Sequence, residues 1–200
     1  MSEQYVYQFD FGLAPTAPSQ VLRVFTALAE SQSPAASDLA AFRLGAFLER
    51  RSMMNAFAFV GTPALVWETG IINNPDNPYH AALPAHGIRF SHVMGDDHYA
   101  NGGFVLPYLV FDLVGEHGLF GIAHDATNRT SITLYFKEFG DLIMQHVEAP
   151  PMAYPLPPDL AGNPQPPLKG WKPAAAGDFR LGTFTRLDPA ARERLIAEAG

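Results

Sequence analysis

The chain has 200 residues, 48% of them hydrophobic and 16% charged, with a formal charge of -7 and no cysteine. That length and apolar content suit one globular unit able to bury a real core, and they exclude a disulfide framework, thiolate catalysis and a Cys-based zinc site. The acidic balance leaves no basic excess to follow a nucleic-acid backbone or an anionic membrane, and no run reaches the roughly 18 apolar residues of a membrane span.

The first residues, MSEQYVYQFDFGL, lack the basic stretch and long apolar run of a secretory signal, so the expected address is cytoplasmic. Over residues 5–13, Tyr5, Tyr7, Phe9 and Phe11 alternate with Val6, Gln8 and Asp10, which predicts a half-buried strand with one aromatic face. Ser19 is placed to cap a helix to about residue 30, with Leu22, Phe25, Leu28 and Ala29 at helical spacing. Ser37 is read as the cap of a second helix through Phe42 and Phe47 to Arg51. Residues 55–60 and 64–69 then read as two strands joined tightly enough by Gly61-Thr62-Pro63 to pair with each other. The NNPDNP run inside 71–85 stacks turn signals and breaks regular structure.

Residues 86–125 join the most apolar run of the chain to its densest supply of His and Asp. GIRFSHVM, residues 87–94, is a strand candidate with Ile88, Phe90, His92 and Met94 on one face. The loop after it, residues 95–103, offers Asp96, Asp97 and His98 between glycines. YLVFDLV and LFGIA, on either side of Gly115 to Gly118, predict a β-hairpin. In that register Asp112 and His124 fall on opposite faces and form no dyad.

Residues 127–148 carry Ile132, Tyr135, Phe136, Phe139, Leu142, Ile143 and His146 on one helical stripe and predict the strongest amphipathic helix of the chain, with Gly140 as its weak point. Residues 150–173 are too rich in proline for a helix or a ladder and read as a surface arm anchored by Met152, Tyr154, Leu156 and Trp171. A strand over 179–187 follows, and Asp188-Pro189 opens a terminal helix by the N-cap and first-position preferences. The expectation is therefore an α+β fold: a mainly antiparallel sheet with helices packed on one face, occupying 1–149, then the proline-rich C-terminal arm at 150–173. Residues 174–200 return a strand and helix to the same domain.

No glycine-rich phosphate loop, dinucleotide fingerprint, GxSxG or HExxH motif is present. Metal enzymes also assemble two His and a carboxylate from separate strands, and the residues in place for that are His92, Asp96, Asp97, His98 and His124. A divalent metal on His92, Asp97 and His98 would polarise a substrate or activate water. Against it, a lone His among Ile, Phe and Met is ordinarily a core histidine, and Asp and Gly in a loop serve turns. The reading preferred on sequence is a non-catalytic binding or assembly module acting as a homodimer, with a small molecule or another protein as further partners. A metal-dependent enzyme is the alternative.

Overall fold

The computed structural model describes residues 4–52, 58–59, 64–68, 86–95, 105–115, 117–125, 131–148 and 180–199. In chain order the elements are β1 (Gln4–Gly12), α1 (Ser19–Ala29), α2 (Ala36–Leu39), α3 (Arg43–Ser52), β2 (Ala58–Phe59), β3 (Ala64–Glu68) and β4 (His86–Gly95). They continue with α4 (Leu106–Phe111), β5 (Gly118–Asp125), β6 (Ser131–Glu138), β7 (Asp141–Glu148), β8 (Arg180–Leu187) and α5 (Pro189–Ala199). The strands form one antiparallel sheet in the order β2-β4-β1-β5-β6-β7-β8, with β3 also paired to β4.

The aromatic alternation of β1 sets the core. Tyr7, Phe9 and Phe11 stand opposite His92, Phe90 and Ile88 on β4. Paired residues share a face, and all six are at most 2% exposed. The helices supply the other half of the core: Val21, Val24 and Phe25 from α1, Leu44, Phe47 and Leu48 from α3, and α4 from end to end. The Phe90 ring lies 5.0 Å from that of Phe9 and 5.4 Å from that of Phe25, which joins sheet to helix layer. The fold is thus α+β, an antiparallel sheet with helices on one side, as the pattern predicts. The proline-rich arm at 150–173 lies outside the described residues.

Four local expectations give way. The predicted hairpin strand at 108–114 is the short helix α4, opened by Pro107 in its first turn and buried on every side. A short apolar run buried all round has no period by which to tell helix from strand. The predicted helix at 127–148 is a hairpin of β6 and β7, with Phe139 and Gly140 at its tip at φ of 48° and 92°. Two consecutive positive φ values are what a two-residue hairpin turn matched to strand twist requires, so Gly140 marks a turn and not a weak helix centre. The helix expected from Ser37 to Arg51 is split into α2 and α3. Lastly, β2 and β3 do not pair with each other among the described residues, since both pair with β4.

At the other end of the chain Asp188 caps α5, its Oδ1 accepting the Ala191 N–H at 2.7 Å, as Asp188-Pro189 predicts.

Candidate binding face

Because neighbouring strands alternate in step, the register also specifies what the second side of the sheet presents. Across it run Arg89, Ser91 and Val93 of β4, Val6, Gln8 and Asp10 of β1, Ile122 and His124 of β5, Ile132, Leu134 and Phe136 of β6, and Ile143, Gln145 and Val147 of β7. Among the described residues no helix packs on this side. A sheet face left to water reads as polar, and this one is apolar over most of its width.

Two irregularities enrich it further. In β5 the register shifts between Leu119 and Gly121, which sends Phe120 to the core at 2% exposure and leaves Leu119 outward at 48%. In β8 Phe184 stands opposite Gln145 and Leu181 opposite Val147, so three steps of β8 match two of β7. Strict alternation would put Leu181 and Phe184 on opposite faces; the bulge at Gly182 and Thr183 brings both to the outer one. They are 74% and 58% exposed. A Cβ on Gly182 would stand 3.2 Å from the His146 carbonyl oxygen, so the bulged backbone runs close against β7.

The described residues form concavities on this face. One, of about 520 Å³, is lined by His117, Phe136, Phe139, Ile143, Gln145 and Phe184 with the backbone around them. The second, of about 450 Å³, lies between Gln8, Asp10, Arg89, Ser91, Leu119 and Ile122. At the rim of the first, His117 Nδ1 accepts the Phe139 N–H at 3.3 Å, and the two rings are 5.3 Å apart. The rim charges are largely paired: Arg186 reaches Glu138 at 2.5 Å and Asp141 at 3.2 Å, one cation between two carboxylates, and Arg89 reaches Asp10 at 2.5 Å. The surface therefore offers hydrophobic area edged by ion-paired groups with a small negative excess, and no strong field for a charged ligand.

Among the described residues the densest group of charges lies on the helix side. Asp112, just past α4, faces Arg192 at 2.9 Å and Arg43 at 3.5 Å, and Arg43 also holds Glu193 at 2.8 Å. The Arg192 guanidinium lies 4.4 Å and the Lys137 ammonium 4.7 Å from the Phe111 ring centre, and Lys137 donates to the Val114 carbonyl. These contacts fasten α5 to α3 and α4, and α4 to β6. Burial raises the Asp112 carboxyl above its ordinary value near 3.8, outweighing the pull of Arg192 and Arg43, and burial with Arg192 nearby lowers Lys137.

The sign of the resulting pH dependence follows. A carboxyl whose pKa is raised on folding binds its proton more readily in the folded chain, so it adds stability below its ordinary value and loses that addition as pH rises through the raised one. The stability of the wild type relative to Asp112→Asn should therefore be greater in mild acid than at neutral pH. Urea titrations of both proteins at the two pH values test this, and a difference that shrinks on acidification would contradict it.

Of the residues predicted to form a site, His92 is fully buried on the helix side of β4, opposite Tyr7. His124 pairs with Val6 and Ile132 and so projects from the other side. The sheet separates these two histidines. Asp96, Asp97 and His98 lie outside the described residues, and among those described no three His, Asp or Glu side chains are gathered as a metal would need. Sequence reasoning missed Leu181 and Phe184, whose common face depends on the bulge, for which Gly182 was the one available signal. It also missed Phe139, hidden within a helical stripe.

Among the described residues no helix is long and apolar enough to cross a membrane. No protein-family model, curated protein or solved structure matches the chain.

Proposed function

We propose that the protein is a non-catalytic binding module that acts as a homo-oligomer. The observation that supports this reading is the outer sheet face, which six strands furnish with apolar side chains while no described element packs on it. Hydrophobic area of that extent marks a surface meant to be covered. Sedimentation equilibrium of the full chain over a wide concentration range is the test: an oligomer that dissociates on dilution is expected, and a monomer throughout would end the reading.

The rival, a metal-dependent enzyme drawing on His92, Asp97 and His98, is tested in the same sample. Stoichiometric metal on the purified protein, lost in the Asp97→Ala, His98→Ala double variant, would favour it over a binding module.

A further inference from the structure

From the outer face and the edge beside it we infer that a second copy of this chain is the occupant, seated face to face so that two sheets stack across a two-fold axis. This rests on the assembly reading above and specifies its surface and geometry.

Among the described residues β8 has a neighbour on one side only, which leaves two routes to self-association: adding β8 to the β8 of another copy along their edges, or stacking the outer faces. The edge is built against the first. A bulge at Gly182 and Thr183 breaks the spacing of the edge strand where a partner strand would have to pair, and edge bulges are a common means of blocking strand addition. The same bulge favours the second route, because it turns Leu181 and Phe184 together onto the face.

The size of the face is adequate. From β4 to β8 it spans six strands at about 4.8 Å spacing and about 8 residues in length, roughly 600 Å² on each copy and roughly 1,200 Å² in the pair. That reaches the range of stable complexes. Its charges lie at the rim: Arg89 is matched by Asp10, while Arg186 serves both Glu138 and Asp141 and leaves one negative charge on each copy, so the apolar strands between them have to carry the contact.

Phe139 supplies an independent sign of selection for contact. It holds a positive φ of 48°, a conformation unfavourable for a bulky side chain, and it is 86% exposed beside the 520 Å³ concavity. Within the chain its ring meets only the His117 ring at 5.3 Å among the contacts described, and Asn would fit the turn better. In the stacked pair Phe139 of each copy packs at the rim of the other copy's concavity. Strain retained at a contact residue is the expected trade between stability and function.

Phe184→Asp and Phe139→Asn separate the outcomes. Phe184→Asp should weaken the dimer at least about 30-fold, the effect of losing one large apolar anchor and placing a charge in the contact, with the urea midpoint of the monomer unchanged. Phe139→Asn should weaken the dimer while raising the stability of the monomer, a pairing of effects that a purely structural Phe139 would not give. Placement is read separately, since a cysteine-free chain accepts single cysteines cleanly. Leu134→Cys, on β6 near mid-face, should cross-link with a short bis-maleimide, and Thr183→Cys, on the edge, should not.

An oligomer that survives Phe184→Asp, or that cross-links through Thr183→Cys alone, would overturn face stacking while leaving homo-oligomer formation standing. A wild-type chain that stays monomeric would overturn both, and would mean that the face is covered by the chain itself or by a different protein.

Discussion

Phe9→Ala is expected to cost about 4 kcal/mol of folding stability, near the upper end for deletion of a buried ring. Phe9 is 1% exposed at the middle of β1, with the rings of Phe90, Tyr7 and Phe120 at 5.0, 6.2 and 6.5 Å. Each neighbour belongs to a strand hydrogen-bonded in the sheet, so none can move far to refill the space, and the residual cavity dominates the cost. Gly121 offers a second reading of the same contact. It stands opposite Phe9, and a Cβ there would lie 2.6 Å from the Phe9 ring. Gly121→Ala should therefore destabilise the wild type and be tolerated once Phe9 is Ala, giving strong coupling in a double-mutant cycle measured by urea unfolding. Simple additivity of the two costs would show that Phe9 does not fill the space above Gly121.

The contrast between what the sequence disclosed and what it concealed follows from which faces are buried. In β1 one face is aromatic and the other carries Gln8 and Asp10, so alternation is plain and the strand is legible. His92 was legible for the same reason: it recurs in step with Ile88 and Phe90 and shares their burial. β6 and β7 have apolar residues on both faces, Tyr135 and Leu142 toward the helices and Phe136 and Ile143 away from them. Superposed, the two faces blur a period of two into something that passes for a helical stripe. The strand signals were there in Ile132, Thr133, Tyr135 and Phe136, with Gly140 at the turn, but the wide apolar stripe outweighed them. The ambiguity of that segment and the binding face have one cause, a sheet apolar on both sides. The wider candidate site had joined His92 to His124, and only strand register, which local sequence does not reveal, could place them on opposite sides of the sheet.

Gly45→Ala sets two opposed effects against each other and should be settled by the larger. In a helix interior, Ala is ordinarily favoured over Gly by about 1 kcal/mol, and Gly45 is the third residue of α3. Here, though, a Cβ would stand 2.2 Å from the carbonyl oxygen of Leu39 and 2.8 Å from the Phe42 ring. Leu39 is the last residue of α2, so the obstacle is backbone, and Phe42 is itself buried at 8% exposure. Neither can yield without moving α2 away from α3, and overpacking of that kind costs about 1–3 kcal/mol or more. The expected net effect is a loss of about 2 kcal/mol, opposite in sign to helix propensity, with Ala46→Gly as the control that reports propensity without the clash. A more stable Gly45→Ala protein would mean that α2 and α3 do not approach at this point. Because both helices lie on the far side of the sheet from the outer face, Gly45→Ala should also leave the association of the folded chains unchanged. That makes it the reference for stability against which losses of assembly at Phe184 and Phe139 are judged.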